Sequence, residues 1–430
     1  MRSLSRRSFL SLGASFSVLA LTNHCGSDDS EDDGDGLPDA AKGLEGDASR
    51  DARGNLRDAG SSNDSAPTDP VGDSGGPGPA TTSFGPNGTH YPATLTPLGK
   101  KAPTEIEVDC SWAAIDKAIR ALTAAQVAAG AAIRVKPGSL VGQGAGSTSP
   151  AMLTDVGNSG WTRNVLIAPR DGYGSVTATA FRWDKCRRIS LFGFKGIGGA
   201  FAFTECTDVQ IGWGEWSGGN ITRSGANIDL YELVLGFRRD PNDTCAMRPN
   251  DLGNIEEVRR YGCVFGPSVK PAASGAHCDT FQLERTGGSA TFGPLLSYDC
   301  VDFGSSNAAL LLHPLLKRAE FHHCMILAGT LPWEVYPLAS GDYQGDPNAF
   351  AGGCEDVQLY DSFVCGAIGS IGYTNVMNTK LNYTPQKTQV PTKAGAWTVD
   401  TTISAWKKAD IFAKMSTDLS AASFAKIWKW

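Results

Sequence analysis

"EEVRRYGCVFG" (residues 256–266) and "PLLSYDCVDFG" (residues 294–304) follow one plan: an apolar residue, a short alternation, a polar or glycine kink, then another apolar pair. The plan returns in "CRRISLFGFKG" from 186, "CTDVQIGWGEW" from 206, "ANIDLYELVLG" from 226, "KRAEFHHCMILAG" from 317 and "EDVQLYDSFVCG" from 355. With Tyr231, Tyr261, Tyr298, His322 and Tyr360 as equivalents the steps are 30, 37, 24 and 38 residues, and the step from Cys186 to Cys206 is 20. A short unit that cannot bury its own apolar face must stack on its neighbours, so the echo predicts a coil of strands. The shortest steps suit one bare turn of about three short strands. The longer ones leave 10 to 18 residues for loops, where function is usually carried.

Composition agrees with a turn-rich fold poor in long helices: 51 Gly, 23 Pro and only 19% charged residues in 430. Ahead of the repeats stands "SWAAIDKAIRALTAAQVAAGAAIRVKPGSLVG" (residues 111–142). Trp112, Ile115, Ile119 and Leu122 recur at helical spacing, Ser111 can cap the start and Gly130 can end it, which predicts a helix over 112–129. A strand, a Pro-Gly turn and a second strand follow. An apolar-faced helix leading into "VKPG" resembles the start of right-handed parallel β-helix proteins of the pectate-lyase-like group, the pectin lyase fold. That resemblance implies an all-β protein over residues 81–375: a single right-handed parallel β-helix with Ile189, Val209 and Val357 inside. The helix would cover the open end of the coil, where unpaired backbone would otherwise recruit another chain. Residues 376–430 read as a helical and extended cap anchored by Trp406, Phe412, Phe424, Ile427 and Trp428.

The first 80 residues belong to a different regime. "SRRSFL" (residues 5–10) resembles the twin-arginine export signal, and Phe9 to Leu21 form an apolar stretch too short for a stable membrane span. Residues 1–25 are therefore expected to be a signal peptide, implying export of a protein folded beforehand, to the periplasm, the cell surface or the medium. Cys25 stands where a lipoprotein signal would be lipidated, although His24 and the position of Leu21 depart from that pattern. Membrane attachment through Cys25 stays open beside simple cleavage. Residues 26–80 hold 12 Asp and 2 Glu against 1 Lys and 3 Arg and read as a disordered acidic Gly/Ser/Asp linker. Within it "EDDGDGLPD" resembles one calcium loop of the thrombospondin type 3 kind, with Glu31, Asp33, Asp35 and Asp39 at oxygen-ligand positions. The plain reading of that stretch is a solvated linker, so Ca2+ is the one cofactor in view and is not required.

Since the whole chain carries −7, residues 81–430 come out near neutral, which argues against nucleic acid as a partner. The expected partner is a glycan and the expected state a monomer. Eleven cysteines in an exported chain would suggest disulfides. Yet Cys186, Cys206, Cys263, Cys300 and Cys324 sit at repeat-equivalent places in apolar strands and read as stacked buried thiols. Cys245, Cys354 and Cys365 are the candidates for bridges.

"GAHCDTFQLERTGG" (residues 275–288) concentrates chemistry: His277, Asp279, Gln282, Glu284 and Arg285 alternate with Cys278, Phe281 and Leu283. In polygalacturonate hydrolases of this fold the strand bearing the catalytic acids reads N-T-D-G-[IF]-D, and residues 277–282 are similar in layout. Asp279 matches the first acid and Gln282 replaces the second. One coil later Ser305-Ser306-Asn307 stands where the family has two more. Inverting hydrolysis requires paired carboxyl groups, so the resemblance implies the fold and not that reaction.

A lyase needs other groups: a base beside the uronate carboxylate and a cation to neutralise the charge that develops. Asp279, Glu284, Arg285 and His277 are the candidate catalytic residues, with Gln282, His313, Trp333 and Glu334 as candidate substrate contacts along one ridge. Arg259, Arg260, Lys317 and Arg318 are further cation candidates. The ridge would equally serve as a solvated outer face, with Asp279 forming a turn. Aromatic residues Trp213, Trp216, Tyr231, Trp333, Tyr336 and Tyr343 near loops suit stacking on sugars, while Trp213 and Trp216 would also serve as core. Two function classes remain: a lyase-like enzyme on acidic glycans, or a non-catalytic surface β-helix that binds glycans or adheres.

Overall fold

The computed structural model describes residues 84, 90–250, 253–285, 288–385, 393–394 and 397–415. The signal segment, the acidic linker, Cys25 and the calcium-like loop of Glu31, Asp33, Asp35 and Asp39 lie outside the described residues, as do Phe424, Ile427 and Trp428.

Every named strand pair in the described part is parallel, and the strands form three ladders visited in turn, which makes the chain a right-handed parallel β-helix. Sheet A begins with Thr104–Val108, Ala131–Val135 and Val165–Pro169 and carries the repeats at Ile255–Tyr261, Leu295–Tyr298, Ala319–His322 and Val357–Tyr360. Sheet B includes Val264–Phe265, Val301–Phe303 and Met325–Leu327. Sheet C includes Cys245–Pro249, Asp279–Leu283, Ala308–Leu312 and Asn348–Gly352. The strand Gly218–Leu235 runs through all three sheets in succession. Ladder strands continue through Tyr373–Met377 and Thr379–Leu381 to Trp397–Val399, so the coil extends into the segment read from sequence as a cap.

The interior is apolar because alternate strand residues point inward and stack on the next coil. Ile189, Val209 and Val357 are all fully buried there. The aromatic residues aligned by the repeats are register partners throughout: Tyr231 with Tyr261, Tyr261 with Tyr298, Tyr298 with His322, His322 with Tyr360. Their rings form one stack on the outer face of sheet A, with centroids 4.7, 5.2, 4.9 and 4.5 Å apart. The kink after each is a two-residue corner whose first residue takes a left-handed backbone, at Glu232, Gly262, Asp299, His323 and Asp361. Asp tolerates that conformation through local hydrogen bonds, and Gly through lacking a Cβ.

The second corner residue points inward, which stacks Cys263, Cys300 and Cys324 as buried thiols. All ten cysteines from Cys110 to Cys365 are free. Cys245, Cys354 and Cys365, expected to bridge, are buried in apolar surroundings that push each thiol up, to about 12, 11 and 12.

The single helix expected over 112–129 is two: α1 (Trp112–Arg120) and α2 (Ala124–Ala129). Thr123 breaks it, because its hydroxyl and the Gln126 side chain form a capping box that starts a new helix. Trp112, Ile115 and Ile119 of α1 close the end of the core, with Trp112 against Phe181 at 5.0 Å.

A segment from His90 to Ala102 lies along the outside of sheet A, burying Leu95 and Leu98 against Phe192, Trp213, Tyr231 and Tyr261. Its anchor is His90, completely buried between Glu232 at Nδ1 and Asp299 at Nε2, the latter at 2.7 Å. Trp213 donates to the His90 carbonyl at 2.9 Å, so Trp213 is core, as is Trp216.

Candidate functional site

Asp279 opens a strand of sheet C, and its register partner one coil earlier is reached by stepping back from the pair Cys245 and Phe281. That step aligns Asp243 with Asp279, Ala246 with Gln282 and Arg248 with Glu284. The coils are stitched together there: the Asp279 N–H donates to Asp243 Oδ1 at 2.9 Å and the Thr244 N–H to the Asp279 carbonyl at 3.0 Å. Inward-facing Phe281 and Leu283 anchor the strand and leave Gln282 on its outer side, where its amide reaches Asp279.

Arg248 is the centre of this surface. Its Nη2 donates to Asp243 Oδ2 at 2.7 Å and to Gln282 Oε1 at 2.6 Å, and its Nε lies 3.3 Å from Glu284 Oε2. Arg248 and Glu284 keep 38% and 46% of their side-chain surface open to solvent, whereas Asp243 keeps 8%. Behind them Asp279 accepts from Asn307 Nδ2 at 2.7 Å and from Gln282 Nε2 at 3.4 Å. Asp279 is completely buried. Burial pushes its carboxyl up to about 7; the Asp243 charge adds to the rise and the Asn307 amide offsets part of it. Burial likewise raises Asp243.

The sequence makes Asp279 a candidate catalytic residue. The structure places it with no exposed surface, where it accepts from the Gln282 amide, whose oxygen in turn accepts from Arg248. Ser305 and Ser306, found where the hydrolases carry acids, accept from the backbone N–H groups of Ser268 and Lys270 at 2.8 and 3.1 Å and tie down that loop.

His313 follows the strand aligned with Asp279–Leu283, two positions past the partner of Gln282. It therefore stands beside Glu284, and the nearby Arg285 charge helps burial to lower its pKa. Its Nδ1 accepts from the Leu315 N–H at 3.1 Å, so the neutral ring carries its proton on Nε2 and presents a donor.

Other sequence candidates fall elsewhere. His277 is exposed on the loop before the strand. Trp333 and Glu334 lie on the short helix α3 (Leu331–Val335) in the loop that precedes sheet C, not beyond its end where Glu284 lies. There Trp333 donates to the Gly345 carbonyl at 3.3 Å and Glu334 pairs with Lys407 at 2.8 Å. The single ridge joining Glu284 with Glu334 does not form.

Arg260 points into the coil, bidentate on Asp302 at 2.7 and 3.1 Å, and both side chains have no exposure. Arg259 is paired with Asp229 at 2.6 Å and Arg318 with Glu320 at 2.5 Å, both on sheet A. Among the described residues no three His, Cys, Asp or Glu side chains gather in a metal-binding cluster.

Asp243 and Arg248 were not singled out from sequence, and Asn307 was noted only as standing where the hydrolases carry acids. A signal for the first two existed: "DTCAMR" (residues 243–248) is the echo, one coil earlier, of "DTFQLE" (residues 279–284).

No family model matches the chain, and no curated protein matches it. Among solved structures it is similar to pectate lyase Pel9A, at 14% identity over 70% of this chain and 78% of that one, with a TM-score of 0.40. It is similar also to an alginate lyase from Paenibacillus sp. str. FPU-7, at 10% identity over 68% and 98% of the two chains, with a TM-score of 0.34. A third likeness is to the Dettilon tailspike protein, at 10% identity over 72% and 67%, with a TM-score of 0.25. The coil itself stands on the strand register rather than on these likenesses.

Proposed function

We propose that the protein acts on an acidic polysaccharide held along the outer face of sheet C and cleaves it by β-elimination. The observation that carries this reading is the Arg248 guanidinium, partly exposed yet fixed from behind by Asp243 and Gln282, beside the exposed carboxylate of Glu284. A fixed, partly exposed arginine suits a carboxylate ligand, because its charge is held in place while Nη1 keeps its donors beyond those Nη2 spends on Asp243 and Gln282.

In the elimination, Glu284 takes the proton from the carbon next to the uronate carboxylate. Arg248 and Arg285 balance the negative charge that moves onto that carboxylate. The electron pair then forms the ring double bond as the bond to the leaving glycosidic oxygen breaks. That oxygen takes a proton from His313 Nε2 or from water. Asp279 does not touch the sugar.

The second reading, glycan binding without cleavage, is favoured by one feature: Glu284 already spends its charge on Arg248 at 3.3 Å, which weakens it as a base. Incubation with a panel of acidic polysaccharides, followed by absorbance in the unsaturated-uronate band, separates the two. Growth of that band with wild type, and its loss by about a hundredfold in Glu284→Gln, is the expected result for a missing general base. Retention on an immobilised acidic polysaccharide with no absorbing product would leave binding alone standing.

A further inference from the structure

Around the corner from the Arg248 surface, where sheet B gives way to sheet C, lies a cavity of about 430 Å³. Its walls come from two parts of the fold: Glu215, Val234, Phe237 and Arg238 from the coil, Lys408 and Phe412 from the C-terminal helix α4 (Lys408–Phe412). We propose that this cavity is a second subsite that takes one anionic sugar unit of the same acidic glycan. The inference rests on the reading of sheet C as a glycan surface.

Three observations support an anionic sugar. The cavity carries two cations, Arg238 and Lys408, against one carboxylate, and that carboxylate, Glu215, already accepts from the Tyr173 hydroxyl at 3.2 Å. The aromatic rings of Phe237 and Phe412 line it, and Phe237 is steadied edge-on by Phe303 at 5.9 Å and Tyr336 at 6.1 Å. Flat apolar walls with a few fixed polar groups are what a pyranose ring and its carboxylate need, and the volume lies in the range that small ligands use.

The cavity is also wired to the first site. Arg238 Nη2 donates to the backbone carbonyl of Asp243 at 2.5 Å, and Asp243 is the residue that fixes Arg248. A glycan chain turning the corner between the two sheets would meet Arg248 and then Arg238.

Gly198 offers a way to close the cavity. It lies on the cavity wall with φ +57°, and a Cβ built there meets nothing within 4 Å. Asparagine tolerates that backbone, so Gly198→Asn places an amide in the space at little cost in strain.

The test is calorimetric titration of wild type, Gly198→Asn, Lys408→Gln and Arg248→Gln with short oligogalacturonate and oligomannuronate, a neutral oligosaccharide serving as control and melting curves confirming folding. The expected result is that wild type binds at least one oligouronate and not the neutral chain. Gly198→Asn, by filling the space, and Lys408→Gln, by removing one charge-assisted contact, should each weaken that binding about tenfold or more.

Wild-type affinity in both cavity variants, with affinity lost in Arg248→Gln, overturns the second subsite and leaves the sheet C reading intact. Affinity lost in the cavity variants but unchanged in Arg248→Gln sinks the sheet C reading while the cavity stands as a site on its own. Failure of folded wild type to bind either oligouronate overturns the proposal.

Discussion

Burial holds the proton on Asp279 up to about pH 7, well above an ordinary carboxyl. In the unfolded chain the same group ionises in the usual carboxylate range, so between that range and about pH 7 the fold binds a proton the unfolded chain has lost. Stability from this group is thus present at low pH and is lost as pH rises through about 7. Asp279→Asn should remove that fall, which denaturant unfolding from pH 4 to 8 would show as a flatter profile than wild type. An unchanged slope would mean the carboxyl is ionised in the fold. His90 works at the other end of the scale. Burial alone would lower it, but Asp299 and Glu232 override burial and raise it from 6.5 to about 9. Its contribution is fully present below pH 6.5 and is lost as pH climbs through about 9. His90→Ala should cost about 3 to 5 kcal/mol at neutral pH, since two carboxylates lose their buried partner, and should leave stability less sensitive to pH between 7 and 9. Melting temperatures across that window are the check.

At the scale of elements, what was legible in the sequence was what repeats. The aromatic column could be written down from spacing alone, because a residue that stacks on its own kind in every coil leaves the same letter at every step. The site was legible only in part. "DTFQLE" drew notice for its polarity, while "DTCAMR" looked unremarkable, and the alignment of the two depends on a register that loop lengths conceal. Burial was equally hidden: nothing in "HCDTFQ" tells that Asp279 has no exposed surface and meets Asn307, 28 residues on. Arg260 illustrates the same limit, since alternation places it inside the coil and Asp302, 42 residues on, together with Ser297, makes that tolerable. The paired helices α1 and α2 are where local chemistry won over periodicity, through the Thr123 cap. Their task as an end cover is testable. Ile115→Asp puts a charge at a position with no exposure, and should cost about 3 to 5 kcal/mol and promote association through the uncovered coil end. Light scattering beside a thermal melt would report both, and a monomeric, equally stable variant would show that the helix is dispensable.

For the molecule as a whole, stacked coils set one outer surface above another, so residues far apart in sequence become neighbours in columns. The near-neutral charge of residues 81–430 gives no general pull on polyanions, so the proposed recognition of an acidic glycan rests on one local column, Arg248–Glu284, with Asp243 fixing the arginine from behind. That makes Arg248 the point on which the account turns. The most direct measurement is the affinity of folded wild type and folded Arg248→Gln for the acidic polysaccharide that wild type retains best. The expected loss is about 1.5 to 3 kcal/mol, the value of a hydrogen bond to a charged group; the variant should also melt lower, because Asp243, 8% exposed, loses its charged partner. Equal affinity in a folded Arg248→Gln protein would contradict it, and the outer face of sheet C would then be scaffold.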